Sequence, residues 1–494
     1  MSRAITLSIF IVLLAAGGCH LDQQKEVARY RKVLDADAPP IDFTPGAPLS
    51  LEQALALANQ HNERLALRGE DYLQALIAKD RAASNFLPTI SLAPTYFQQD
   101  EVNAQEQNTG GAGGGNVVSS INHRLDVPIT GRINVFNGFS DVANYRAAGR
   151  TIEQRRALLL DAQAIVLLDV ARTYYQVLRS ERSVEVLKNS LNLQDERVRD
   201  FQARRRAGVV RPLDVAQTEA QASATRVSLI DARHDVVNGR TTLAFLVGAP
   251  VSSSPLIDQA GAAQSVPLLE SLQFEASIRR QDLAAARAAV VASKYDVEAA
   301  IGHYFPSISF NVNYFLHRES LPSESRWNEI LSANLPIFSG GVLEADLRLA
   351  WSLLRQSKLA ESLTERQVLQ DVRIAYENVL ASQDRFRELQ VQLKAGEEAL
   401  LQAEQSYKAG LGTNLERLVA QNQLLSAQLE LTSERYDQKI FYLALLRAVG
   451  SLSMRLPGEP APTTQPSTLP ATTQPTTRPI TQLSTATTGS ASAR

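Results

Sequence analysis

A single cysteine, Cys19, stands among 494 residues, so the chain can form no internal disulfide and no thiolate cluster for a metal. The six histidines, at positions 20, 61, 123, 234, 303 and 317, share no ligand spacing, which argues against a metal centre. Charge of one sign is also missing: Lys plus Arg number 50 against 52 for Asp plus Glu, a formal net charge of -2. Without a basic excess there is no electrostatic footprint for nucleic acid. No Ser, His and acid set suggests hydrolysis, and the glycine-rich run 110–115 lacks the Lys-Ser/Thr pair and the strand-to-helix setting of a phosphate loop. No catalytic residue, cofactor or metal ligand is therefore expected. Beyond the first residues there is no run of 18 apolar side chains, so no helix should span a bilayer by hydropathy. Any spanning part must be strands, closed on themselves because an open edge in lipid leaves backbone groups unpaired.

The two ends carry their own signals. Arg3, an apolar run from Ile5 to Ala16, and small Gly17 and Gly18 read as a secretory signal over 1–18. Leu14-Ala-Ala-Gly-Gly-Cys19 resembles the lipobox of bacterial lipoproteins, although Ala16 stands where that pattern usually has Leu. The resemblance implies acylation of Cys19 and a lipidated arm over 19–48; a plain signal peptide cut nearby is the alternative. His20 follows the cysteine, not the Asp that by the same resemblance retains lipoproteins at the inner membrane, so the outer membrane is the expected address. At the other end, 451–494 is dominated by Pro, Thr, Ser, Ala and Gln without apolar period and should be disordered.

Between these ends lies a duplication. Phe86-Leu-Pro-Thr-Ile-Ser-Leu-Ala-Pro-Thr-Tyr-Phe97 returns 218 positions later as Tyr304-Phe-Pro-Ser-Ile-Ser-Phe-Asn-Val-Asn-Tyr-Phe315. From about 133 to 248 the offset is 202, carrying Asp169–Leu178 onto Asp371–Leu380 and Leu246-Val-Gly248 onto Ala448-Val-Gly450. The first copy thus has 16 extra residues, in the loop that holds the glycine-rich run. Each copy reads helix, strand, loop, strand, long helix, turn, long helix, over 49–250 and 267–450, with a linker at 251–266. The opening helices are expected near 50–85 and 268–302, the first with Ser50 as N-cap and Gln53 as its capping-box partner. Strands are expected near 86–98 and 119–136, then 304–316 and 328–338. In the third, Ile308, Phe310, Val312 and Tyr314 alternate with Ser307, Ser309, Asn311 and Asn313, which gives one oily and one wet face. Such a strand can line a water-filled barrel in lipid. Four strands cannot close a barrel, since about eight are needed before side chains can fill the inside, so several copies must combine.

The long helices show what they pack against. From Val142 to Arg206 there is no proline and the only glycine is Gly149, a helix approaching ~100 Å at ~1.5 Å per residue. Val170, Val177, Val184, Leu191 and Val198 recur every seven residues, as do Val372, Val379, Phe386, Leu393 and Leu400, a seam buried against another helix. Both long helices then meet a glycine, Gly208 or Gly410, suited to a C-cap. Six residues on, an acid opens the return helix: Asp214, preceded by Pro212 in the first turn, or Glu416. Aromatic Phe86, Phe97, Tyr304, Phe315, Trp327 and Phe338 stand near the strand ends and would suit membrane interfaces.

Over about 49–450 this arrangement resembles the TolC-like outer membrane efflux family. The resemblance rests on the duplication, on Leu51-Glu-Gln-Ala-Leu55, on Phe86-Leu-Pro88 and Phe305-Pro306, and on Ser406-Tyr-Lys-Ala-Gly410. With Cys19 and the long N-terminal arm it is similar to the lipoprotein branch that serves resistance-nodulation-division pumps. It implies a mainly α fold with a small β part: a trimer whose 12-stranded outer membrane β-barrel continues as a periplasmic α-helical barrel. It further implies a passive exit duct for small molecules, docked on a periplasmic adaptor and an inner-membrane pump. By the same resemblance Glu416 matches an acid that narrows the periplasmic entrance, and Asp214 and Tyr407 match a pair linking neighbouring hairpins. Gly412 stands where an Arg completes that latch, and Val419 replaces a second ring acid, so the lock should differ. A duct for type I protein secretion and a non-conducting structural envelope lipoprotein are the rival readings.

Overall fold

The structure, a computed structural model, describes residues 22–34, 43–98, 123–258, 266–320 and 324–452. The signal segment, Cys19, the glycine-rich run and the tail beyond 452 lie outside the described residues. Helix α1 (Gln23–Val33) opens on Asp22, whose carboxylate accepts from the Gln24 and Lys25 amides. It lies on the first repeat through Tyr30, whose ring occupies the space a Cβ on Gly69 would need, 2.4 Å away. The carbonyl of Leu34 is held by Asn59 Nδ2 (2.9 Å) and Gln163 Nε2 (3.0 Å).

The opening helix is not continuous. It divides into α2 (Leu51–His61) and α3 (Glu63–Ser84), because Asn62 sits in extended backbone between them. An extended residue breaks the helical ladder and leaves new orphan amides; the Asn62 carboxamide caps them, accepting from Arg64 N at 2.9 Å. The Ser50/Gln53 capping box is present at the start of α2. The first strand is also interrupted. β1 (Thr89–Leu92) and β2 (Thr95–Gln98) both pair with β3 (His123–Asn137), but Pro94 between them has no N–H to offer the ladder.

Helix α4 (Ser140–Arg206) and α5 (Pro212–Val247) form the first long hairpin. The second repeat runs α6 (Leu269–Arg279), α7 (Gln281–Gly302), β4 (Ser307–His317), β5 (Trp327–Asn334), α8 (Val342–Lys408) and α9 (Asn414–Val449). β5 stops short of the expected 338 because Pro336 cannot continue the ladder; Ile337 and Phe338 lie beyond it, fully exposed. The duplication is visible in lengths: α4 and α8 are 67 residues each, α5 and α9 are 36 each. The strands form one antiparallel sheet in the order β1-β3-β4-β5, with β2 beside β3. β1 with β2 forms one free edge and β5 the other.

A core of Leu, Val and Tyr side chains gathers where α2, α3, α4, α5 and the end of α9 meet, with Tyr174 fully buried. Burial pushes the Tyr174 phenol up, so it stays protonated and able to donate. Its oxygen lies 2.8 Å from the Leu49 carbonyl and accepts from Ile257 N at 2.9 Å, pinning the N-terminal entry to the linker beside the parallel bridge of Leu49 and Leu256. The heptad residues Val170, Val177 and Leu191, then Val372 and Val379, are buried; Phe386, Leu393 and Leu400 towards the far end are only half-buried in the protomer.

Both repeats build the same corner. Asn62 donates to the Leu246 carbonyl at 2.7 Å, and Arg280, the residue that breaks α6 from α7, donates to the Ala448 carbonyl at 3.3 Å. Arg280 is 4 % exposed and also holds Asp282 (2.7 Å) and Asp371 (3.1 Å). Beside each corner the long helix ends on a left-handed glycine pressed against that break. A Cβ on Gly248 would fall 2.8 Å from the His61 carbonyl oxygen, and one on Gly450 2.9 Å from the Arg279 carbonyl carbon. Replacing Gly450 by Ala combines that clash with a positive φ and should lower stability by roughly 1–3 kcal/mol. Gly149→Ala, in mid-helix with open space around it, should instead be neutral or stabilising by about 0.5–1 kcal/mol. Denaturant midpoints of the two variants in detergent, compared with the unaltered protein, check the contrast.

Candidate functional site

The far ends of the two hairpins carry the residues singled out in the sequence. Past α4, Gly208 adopts φ +74°, and the amides of Gly208 and Val209 bond back to the carbonyls of Arg205 and Arg204 at 2.9 Å each. Past α8, Gly410 repeats the same φ, with Leu411 N bonded to Ser406 O at 2.9 Å. Only glycine reaches this conformation without steric cost, and here it reverses the chain in five residues.

Glu416 lies on the exposed side of the second tip, where its carboxylate accepts from Thr413 N (3.1 Å) while Thr413 Oγ1 accepts from Glu416 N (3.3 Å). It therefore caps its own helix, a role legible in the Thr413-Asn-Leu-Glu416 spacing. Asp214 is buried, and Arg211 three residues before it bonds both carboxylate oxygens, at 3.0 and 3.1 Å. Tyr407 stacks on Phe201 of α4, the ring centroids 6.0 Å apart. Within the protomer the structure does not bring Asp214 and Tyr407 together. Each is engaged by another residue instead, Asp214 by Arg211 and Tyr407 by Phe201 and Arg417.

The tips are joined by residues the sequence pattern did not mark. Arg417, 7 % exposed, holds its guanidinium 4.7 Å from the Tyr407 ring and 5.0 Å from that of Phe201, a cation–π contact with both rings of the stacked pair. Its Nη2 donates to Asn414 Oδ1 at 2.9 Å, while its buried Nε has no partner among the described residues. Burial first, and the Arg197 cation second, pull its pKa down from the ordinary arginine value. Asn414 Nδ2 in turn donates to the Asp214 carbonyl and to Thr218 Oγ1, 3.3 Å each. Behind this cluster Arg197 binds Glu404 and Gln421. All four long helices are thus tied together at the tips by one polar and aromatic knot, whose members are paired across helices by the fold.

At the opposite end, the sheet has two chemically distinct faces. The register sets Ile308, Phe310, Val312 and Tyr314 across from Phe136, Ile133, Gly131 and Ile129. The other face carries Asn313 in a ladder with Thr130 Oγ1 (2.8 Å) and Asn328 Oδ1 (2.9 Å). Trp327 pairs with Tyr314 on the oily face, as an interfacial aromatic should. Phe97 and Phe315 do not follow that expectation. Pairing places them on the wet face, where the guanidinium groups of Arg124 and Arg318 lie 5.0 and 4.3 Å from their rings. No helix among the described residues is long and apolar enough to cross a membrane.

Residues 54–249 and 273–451 match the family described as Outer membrane efflux protein. The chain belongs to that family. Its matched segments coincide with the two structural repeats just described, and the protein is an outer membrane channel of a tripartite efflux system. The chain is similar to the outer membrane efflux protein BepC of Brucella suis, 26 % identical over 325 residues, which cover 65 % of this chain and 70 % of that protein. It is similar also to the probable efflux pump outer membrane protein TtgC of Pseudomonas putida, 26 % identical over 303 residues, covering 58 % and 61 %. Among solved structures, the outer-membrane channel OprN superposes with a TM-score of 0.71 at 21 % identity, over 82 % of this chain and 91 % of that one. The VceC protein of Vibrio cholerae gives 0.70 at 21 % identity, over 81 % and 96 %. At that identity these likenesses establish the fold. A family of outer membrane channels also points away from catalysis.

The knot at the tips makes a direct prediction. Asn414→Ala removes the acceptor of a buried guanidinium and two donors to α5, a loss of roughly 1–3 kcal/mol locally. Amide hydrogen exchange over 405–420 should accelerate by tenfold or more, while the core around Tyr174 stays protected. Unaltered protection at the tips would show that the knot holds nothing together.

Proposed function

We propose that three copies of this efflux channel close their sheets into one 12-stranded barrel, anchored in the outer membrane by an acyl group on Cys19 and continued by the long hairpins into the periplasm. The observation that carries this reading is the pair of free strand edges on a sheet with one oily face. In hydrocarbon each unpaired backbone group costs several kcal/mol, and joining β1 and β2 of one copy to β5 of the next removes every open edge. Exposed Val227, Ile230, Val237 and Phe245 on α5, with Leu359 and Leu363 on α8, supply apolar surface for the same neighbours to cover. The duct is passive and carries small molecules. A resistance-nodulation-division pump in the inner membrane supplies the energy, and a periplasmic adaptor grips the hairpin tips.

Entry is controlled where the tips converge, at Gly208, Gly410, Asp214, Tyr407 and Glu416. Three Glu416 carboxylates around the axis make a ring of negative charge, and each caps its own helix at the same time. Asp214 and Tyr407 act through Arg211 and Arg417, not through one another. Two measurements test the reading. Purified protein added to planar bilayers should conduct in small closed-state steps, which a structural lipoprotein would not do. Asp214→Ala combined with Tyr407→Ala should raise that conductance severalfold; an unchanged leak would remove these residues from the entrance.

A further inference from the structure

Among the described residues between the helices and the mouth, the wet face of the sheet carries one charge that nothing answers. Between the helices and the mouth, the described wet-face positions are small or neutral: Thr89, Thr130, Asn311, Asn313 and their neighbours on β5. Arg132 is the exception. The register aligns it with Thr89 on one side and Asn311 on the other, and Asn311 is aligned in turn with Ile330. Its side chain is exposed, and no hydrogen bond, ion pair or ring contact engages it among the described residues.

The acids nearer the mouth do not offset it. Asp126 is taken up by the Glu319 and Ser320 amides, 3.0 Å each, with Arg124 at 3.9 Å. Glu319 accepts from Leu125 N and from His317. Glu329 is aligned with Val312 and so lies on the oily face. Two further cations stand at the mouth itself: Arg318 lies over Phe315 and is bonded to neutral oxygens, Ser320 Oγ and the Ser325 carbonyl at 3.1 Å each, and exposed Arg326, whose carbonyl accepts from Phe315 N at 2.8 Å, has no side-chain partner among the described residues.

We infer that Arg132 is an anion-binding station inside the barrel, and that the cargo class it favours is organic anions. The inference rests on the duct reading, because it needs three copies to bring three Arg132 side chains to one level. A ring of guanidinium groups in a pore with low-dielectric walls concentrates field lines and selects for negative charge. The planar fork suits a carboxylate, sulfonate or phosphate through two parallel hydrogen bonds. The neutral amide and hydroxyl surroundings supply no competing carboxylate, so the guanidinium stays free for cargo.

The test uses the whole trimer in planar bilayers, with naphthalene disulfonate as a blocker added from the outer side and a KCl gradient to read selectivity. The unaltered protein should be blocked, and Arg132→Gln should weaken the block by tenfold or more. Arg132→Glu should abolish it and move the reversal potential towards potassium selectivity, while Arg132→Lys should keep part of it. The side chain makes no internal contact, so these replacements leave the sheet intact. Block and reversal potential unchanged in both R132Q and R132E, at normal conductance, would overturn this inference alone. Absence of any conductance from the unaltered protein would overturn the duct reading and this inference with it.

Discussion

A backbone amide placed in hydrocarbon must find a carbonyl, and this one requirement organises the whole chain. The protomer meets it only in part: β3 and β4 are paired on both sides, β1, β2 and β5 on one. The sheet therefore cannot be a finished object by itself, and its oily face becomes an asset only when the outer strands are matched by other copies. Everything below the membrane follows suit. Hairpins of equal length, set by the 202-residue repeat, leave apolar residues on their flanks that a solitary protomer exposes. The seam of the second hairpin, sealed at Val372 and Val379, loosens to half-burial at Phe386, Leu393 and Leu400 towards its tip.

The duplication was the most legible feature of the sequence, because each kind of order it encodes is local. Period two in Ile308 to Tyr314 gives the strand, period seven in Val170 to Val198 gives the seam, and Gly208 and Gly410 give the reversals. What escaped was set by contacts across the fold. Nothing near Asn62 or Arg280 demands a break in an otherwise helical stretch; the break is stabilised by carbonyls 184 and 168 residues away, at Leu246 and Ala448. Pro94 inside the first strand was readable as an interruption, yet the wet-face setting of Phe97 and Phe315 needed the register against Arg124 and Pro128. The cation–π knot depends on residues from three helices, Phe201, Tyr407 and Arg417, that share no spacing.

The two repeats are near copies at the core and diverge at the tips. The corner of Asn62 with Gly248 is rebuilt with different chemistry by Arg280 with Gly450, an amide giving way to a guanidinium that gathers two carboxylates. At the tips Pro212 starts one return helix, and the capping pair of Thr413 and Glu416 starts the other. Arg417 has Val215 as its counterpart in the first repeat. A buried guanidinium is costly unless its surroundings are complementary, and here two aromatic faces and one amide oxygen share that task.

The middle of the sheet joins strands from different repeats: Ile129 of β3 lies beside Tyr314 of β4, with a complete helical hairpin encoded between them. Such a pairing cannot begin while the polypeptide is only half made. Contacts of this long sequence separation form slowly, whereas each hairpin can zip from local contacts as soon as its second helix is available. The order of assembly is thereby biased: rods first, sheet last. Late maturation of the lipid-facing surface suits a polypeptide that must cross an aqueous compartment before it reaches its bilayer.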